Sequence, residues 1–423
     1  MKTIKKILCM VIAVCMVASV FVISSACVPR EERLIIRNWG EYMDEAEWRG
    51  FEDWYKEKTG GKRVKVDYGE FDINETLYKK LVDGSDYDLV CPSDYMIERL
   101  IGEKRVQPLW AETQEVLKKA IDPNVQEFAQ AFDPDLEYSM PYLWGTLGIM
   151  YNAEAQNRTP EANKAQTAQV MSSWTALWDA RFAGKIYMKD SPRDTYTVAK
   201  LYENSEALLA AADEFGVESD EYKAILEPIF TATTQKSLDD AEALLKAQKA
   251  SGVLKGGYDV DMAKDELLRD IDGSKGYFGM FWSCDAGYIM NGDEDKGANR
   301  NLRYVVPDEG SNVWVDGFVI PKNAVNVEAA NLFIQYLCEK DVAYACMDYA
   351  GCTSAVWEAA EQYREDMEED EDGFFDNAPA GFREMYMDMM FPPEDVLARC
   401  RIMKDFNDLN DALTDMWINV KLS

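Results

Sequence analysis

Trp314-Val315-Asp316, within SNVWVDGFVIP, sets an indole and a carboxylate two positions apart in a β-type run. Alternation along a strand points both side chains to one side of a sheet. That pair suits an organic cation, whose ammonium and methylenes meet the π-face while its charge meets the carboxylate. Taken alone, the tripeptide reads more often as a core tryptophan beside a loop aspartate. The pairing recurs, however, as Trp39 with Glu41 and Tyr42, as Tyr95 beside Asp94, and as Trp282 with Asp285. Each instance ends an apolar, strand-like run.

Composition removes several other chemistries. The chain has no histidine, which excludes Ser-His-Asp and Cys-His catalysis and the commonest zinc sites. A net charge of −32 argues against nucleic acid and anionic lipid surfaces, which need clustered Lys and Arg, and favours cationic ligands. The same charge also serves simply to keep an exported protein soluble. Glu368, Asp370, Asp372 and Gly373 fall on the first, third, fifth and sixth positions of a calcium loop. Pro379 stands where its bidentate glutamate is required, so no metal site is expected there. Cysteines follow Cys27 at 91, 284, 338, 346, 352 and 400 with no CxxC pair; Cys91, in YDLVCP, reads as core. In an exported chain the others either pair or stay reduced.

The elements that must position the aromatic and acidic pairs alternate. From residue 34 the pattern predicts a strand (34–37), a helix (44–59, stopped at Gly60-Gly61), and a strand (63–68). A helix (74–82), a strand (87–91) and a helix (94–103) follow. Such βα alternation implies a mostly parallel sheet covered by helices, with ligands at the carboxyl ends of the strands, where Asn38 to Tyr42 and Ser93 to Tyr95 lie. Ser93 is equally suited to cap the following helix. The run PYLWGTLGIMYN reads as a strand leaving a first lobe, and SSWTALWDARFA (172–183) as a helix. Further strands are expected at 185–189, ending at Asp190-Ser191-Pro192-Arg193-Asp194, and at 277–282 and 303–307. Residues 200–270 read as polar surface helices, 327–339 as a helix reached through the run 317–321, and the acidic run 364–372 as a solvated surface segment. With 423 residues and 47% apolar content, length favours two domains.

The first residues read as an export signal: Lys2, Lys5 and Lys6, an apolar run over 7–23, then Ser24-Ser25-Ala26-Cys27. The run falls short of the ~20 residues of a membrane span. Its ending resembles a bacterial lipobox, although Ser24 stands where leucine is usual. Residues 1–26 are therefore expected to be removed and Cys27 lipidated, with ordinary secretion as the alternative, which puts the protein outside the cytoplasmic membrane.

In order along the chain, NWGEY, FDINETLYKKL, YDLVCPSDYMIERL, MPYLWGTLGIMYN, SSWTALWD, DSPRD, GMFWSCDAGY, VVPDEGSNVWVDGFVIPKNA and FPPEDV resemble the extracytoplasmic spermidine/putrescine-binding proteins of ABC importers. The resemblance implies an α/β, two-lobe, type II periplasmic-binding-protein-like fold, each lobe a mixed, mostly parallel sheet flanked by helices. A polyamine would be enclosed in the cleft between the lobes. Lobe 1 would comprise 34–143 plus 316–351, and lobe 2 144–315 plus 352–423, with crossings near Tyr142 to Trp144, Trp314 to Asp316 and Gly351. By position, Trp39 and Tyr42 resemble the walls of an aromatic box, Tyr95 a further contact, and Trp282 and Trp314 the faces along the methylene chain. Asp194 and Asp316 resemble the carboxylates that hold the ammonium groups, with Ser93 and Glu41 as secondary polar contacts, Asp94 beside Tyr95 as a further ligand-binding residue, and Arg193 as a residue that orients a carboxylate.

Three positions depart from the family. Ser191 replaces a common carboxylate, for which Asp190 could substitute, Cys352 a tyrosine, and Met403 a glutamine. The resemblance further implies no enzyme activity and no cofactor. It implies a monomer tethered by its lipid, with an ABC permease and its ATPase as partners. Two other readings compete: the same fold binding a sugar, an amino acid or another organic cation, and a secreted glycoside hydrolase, whose clefts also carry tryptophans and paired carboxylates.

Overall fold

The computed structural model describes residues 29–259, 262–292 and 297–423. The expected export signal and Cys27 lie outside the described residues. Among the described residues no helix is long and apolar enough to cross a membrane.

The first lobe opens with β1 (Arg33–Trp39), the helix Glu45–Lys58, β2 (Lys65–Phe71), the helix Asn74–Val82, β3 (Leu89–Val90) and the helix Asp94–Gly102. Asp44 starts the first helix by accepting from the Ala46 amide. β1 is parallel to β2 along its whole length and to β3, as the alternating pattern requires. After β4 (Val106–Gln107) comes β5 (Ser139–Asn152), then β6 (Ile186–Lys189), β7 (Leu254–Asp259), β8 (Phe278–Trp282), β9 (Leu302–Val305), β10 (Ser311–Pro321), β11 (Thr353–Ser354) and β12 (Cys400–Arg401). In the second lobe β6 is parallel to β7 and to β8.

Two long strands join the lobes. β5 and β10 are buried at every position, which explains their near-continuous apolar sequence. The end of β10 pairs with β3 and β4 in the first lobe on one side and with the start of β5 on the other. The end of β5 pairs with β8 and β9 in the second. Midway, Val315 faces Trp144 and Asp316 faces Leu143, with a bulge between Asp316 and Gly317. β11 pairs with the same stretch of β5 through Thr353 and Ser354. One apolar cluster fills the first lobe and continues across these strands, and two smaller ones lie in the second, around Trp174 and Phe278 and around Leu245 and Trp417.

Two local expectations are corrected. SSWTALWDARFA is not one helix but two 3-10 turns, Trp174–Trp178 and Ala180–Phe182, separated by an extended Asp179 (φ −74°, ψ 115°). Ser173 and Asp179 accept from backbone amides two residues ahead, the local bonding with which such side chains outcompete a helix. The stretch 200–270 holds helices but also β7, whose Gly256 and Gly257 take positive φ (80° and 110°) and erase the alternation that would mark a strand. Cys91 is fully buried. Cys284 and Cys352 form a disulfide, while Cys91, Cys338, Cys346 and Cys400 are free.

Candidate functional site

β1 ends at Trp39, β3 leads to Ser93 and Tyr95, β6 ends at Lys189, and β8 ends at Trp282. All four carboxyl ends open on one cavity of about 600 Å³, closed on another side by Trp314 and Asp316 of β10. Every residue singled out from sequence as a ligand contact lines it: Trp39, Glu41, Tyr42, Ser93, Asp94 and Tyr95 from the first lobe, Asp194 and Trp282 from the second, and Trp314 and Asp316 from the strand between.

Trp314 and Asp316 share one face of β10, as alternation requires. The indole lies over Gly145, its cross-strand partner, and its Nε1 donates to the Thr146 carbonyl (3.2 Å). Tyr42 Oη donates to Asp316 Oδ2 at 2.8 Å. Burial pushes the Asp316 carboxyl up to about 6, the Ser93 and Tyr42 hydroxyls pull it down, and the Asp194 charge raises it. Ser93 is the N-cap residue of the helix Asp94–Gly102 but makes no side-chain cap bond; its hydroxyl serves Asp316 and accepts from Asn74 Nδ2 (3.0 Å) instead. Asn74 also donates to Tyr95 Oη (2.9 Å).

Asp194 lies in the first turn of the helix Pro192–Glu203, and its Oδ2 accepts from Trp282 Nε1 at 3.1 Å. Burial raises its pKa, and hydrogen bonds from Ser191 and Trp282 oppose the rise. Asp94 has a different environment: one carboxylate oxygen takes the Tyr95 amide (2.6 Å) and the other the Val315 amide (3.2 Å), which ties its helix to β10. Asp190, considered as a replacement for the carboxylate missing at Ser191, accepts from Trp417 Nε1 (2.8 Å) and Lys421 Nζ (3.0 Å). Arg193 packs its guanidinium 3.9 Å from the centre of the Tyr95 ring and bonds the Lys404 carbonyl, Asp405 and Asn410.

Sequence reasoning missed two bases. Lys189 is buried with its Nζ 2.5 Å from Asp285 Oδ2 and 3.8 Å from the centre of the Trp282 ring; burial lowers its pKa and Asp285 opposes the fall. Lys264 lies 3.8 Å from Asp285 Oδ1 and 3.5 Å from Glu41 Oε2, and Tyr288 Oη donates to Glu41 at 3.0 Å. The position of Lys189 at the carboxyl end of a strand was the available signal. Lys264 has none, since it sits on a separate helix, Met262–Arg269.

The description "bacterial extracellular solute-binding protein" belongs to a family model that matches residues 53–374. The spermidine/putrescine-binding periplasmic protein of Salmonella typhimurium is 26% identical over 324 residues, 76% of each chain. The putrescine-binding periplasmic protein PotF of Escherichia coli is 26% identical over 325 residues, 75% of this chain and 76% of its own. The structure of the spermidine/putrescine transporter substrate-binding protein PotD of Streptococcus pneumoniae superposes with a TM-score of 0.61 over 92% of this chain and 99% of that one, at 24% identity. That likeness shows the type II two-lobe fold, with its cleft between lobes, and the match of the family model over most of the sequence settles membership: the chain belongs to the bacterial extracellular solute-binding proteins.

Proposed function

We propose that this protein is the extracytoplasmic receptor of an ABC importer, capturing a linear polyamine between its lobes and delivering it to a membrane permease served by an ATPase. One observation carries the reading. Asp194 and Asp316, 5% and 7% exposed, line the same aromatic cavity, and neither has a Lys or Arg at ion-pair distance among the described residues. Their hydrogen-bond donors are neutral, from Trp282 and Ser191 and from Tyr42 and Ser93. A buried carboxylate without a cation is costly, and an ammonium on each relieves that cost while the methylenes between need only apolar faces. Trp39, Tyr95, Trp282 and Trp314 would supply those faces. Relatives named for spermidine and putrescine support the same ligand class.

In this reading the lobes divide at 34–143 plus 316–351 and 144–315 plus 352–423, Asp94 and Glu41 act as positioning residues, and the mature chain starts at a lipidated Cys27. Charge-assisted hydrogen bonds of about 1.5–3 kcal/mol each and cation–π contacts of about 0.5–2 kcal/mol would give affinities on the order of micromolar after association costs. Calorimetric titration of ligand-free protein with spermidine and putrescine, beside maltose and arginine, tests it. Saturable one-to-one binding of a polyamine is expected; heat with maltose and none with either amine would replace it with the sugar reading.

A further inference from the structure

The cleft's buried carboxylates fall into three groups by partner. Asp94 holds two backbone amides. Asp194 and Asp316 receive only neutral donors among the described residues. Asp285 has an ammonium already: Lys189, 1% exposed, places Nζ 2.5 Å from Asp285 Oδ2 and 3.8 Å from the centre of the Trp282 ring. A carboxylate on one side and an indole face on another is the environment a ligand ammonium would be given. The same indole donates to Asp194, so the tethered cation stands next to one of the two buried carboxylates left for ligand among the described residues.

We propose that Lys189 permanently fills a third cation position of the cleft and thereby makes the site selective for α,ω-diamines over triamines. The inference rests on the polyamine reading and sharpens it. Two ammonium groups find Asp194 and Asp316. A third, if brought in beside Trp282, meets the like charge of Lys189. Apart from the amide-held Asp94, the other lining acids without a base at ion-pair distance among the described residues, Asp72 and Glu75, are not buried, so water already solvates them and they offer a third ammonium less than a buried carboxylate would. A cavity of about 600 Å³ is roomy for either ligand, so the discrimination is one of charge and not of length.

Calorimetry with putrescine, spermidine and spermidine acetylated on its aminopropyl end, on the unaltered protein and on Lys189→Met, tests this. The unaltered protein is expected to bind putrescine about tenfold or more tighter than spermidine, and acetylation, which removes the third charge, is expected to improve binding over spermidine itself. Lys189→Met removes the closer of the two bases at Asp285, leaving Lys264 at 3.8 Å, and is expected to raise the spermidine-to-putrescine affinity ratio by about tenfold. Spermidine bound as tightly as putrescine by the unaltered protein, no gain on acetylation, or an unmoved ratio in folded Lys189→Met would each overturn the inference alone. Failure of the unaltered protein to bind any of the three amines would overturn the polyamine reading and this inference with it. The acetylation comparison needs no variant, so it decides the point even where Lys189→Met does not fold.

Discussion

Burial, opposed by the Ser93 and Tyr42 hydroxyls and reinforced by Asp194, leaves the Asp316 carboxyl with a pKa of about 6. An unfolded chain holds such a group near ~3.9. The folded state therefore prefers the protonated form, and the stability this contributes is complete below about pH 4 and lost as pH rises through about 6. Asp316→Asn removes the ionisation while leaving an oxygen to accept from Tyr42. The ligand-free variant is expected to be more stable than the unaltered protein by about 1–3 kcal/mol at pH 8, a difference that shrinks toward zero near pH 4. Binding should move in the opposite direction: an ammonium needs the ionised carboxylate, so loss of a charged hydrogen bond should weaken the polyamine about 10- to 100-fold. Urea unfolding across pH and calorimetry at pH 8 measure the two effects. An Asn variant less stable than the unaltered protein at pH 8 would show that the ionised Asp316 is well accommodated without ligand.

The strand β10 can present Asp316 and Trp314 together because β5 opposite carries Gly145 beneath the indole. A Cβ at Gly145 would lie 2.6 Å from Trp314 Cζ2 and would also press on Ser283 Oγ, which accepts from the Thr146 amide. Gly145→Ala is therefore expected to displace Trp314, costing about 1–3 kcal/mol of stability and weakening ligand binding about tenfold; wild-type affinity by calorimetry would show that Trp314 is not a ligand face. Elements such as β10 were legible in the sequence because apolar runs and alternation report burial directly, and the helix Asn74–Val82 coincides with its expected range. That Trp39, Tyr95, Trp282 and Trp314 line one cavity was legible because they sit at strand ends or pair with an acid. Partner choice was not. Nothing in the order of residues says that Asp285 meets Lys189 and Asp194 does not, since that depends on how β6 and β8 lie side by side. The same limit applies to Ser93, whose position suits a helix cap but whose hydroxyl turns toward Asp316 once β10 brings that carboxylate opposite. Cys284 and Cys352, distant in sequence, meet only because the helix Ser283–Asn291 packs on the end of Lys340–Ala350.

Across the whole molecule, charged contacts bridge the lobes on two sides of the cavity. On one side Glu41, in the turn after β1, meets Tyr288 and Lys264 of the second lobe. On the other, Glu98 of the helix Asp94–Gly102 accepts from Lys404 Nζ (2.7 Å) and from the Asp405 amide (2.8 Å). The segment 403–406 belongs to the second lobe through Met403 and Phe406, which enter its two apolar clusters, and through Arg193. Contacts made only when the lobes are together stabilise the closed form, and apparent affinity scales with the fraction of molecules competent to close. Glu98→Gln keeps the side chain's size but removes its charge and one of the two acceptors that meet Lys404 and the Asp405 amide. Both Glu98 and Lys404 are about a third exposed (29% and 32%), so screening limits the loss to about 0.5–1.5 kcal/mol, or about 2- to 10-fold in affinity. Because Glu98 does not line the cavity, the loss should be the same for every ligand, in contrast to Lys189→Met, which should change the ratio between ligands. Small-angle scattering should show a larger radius of gyration for ligand-free Glu98→Gln than for the unaltered protein, and the same radius for both at saturating ligand. An unchanged radius with unchanged affinity would mean that the lobes close without help from this contact; a loss that differed between putrescine and spermidine would mean that Glu98 acts through the site and not through lobe closure.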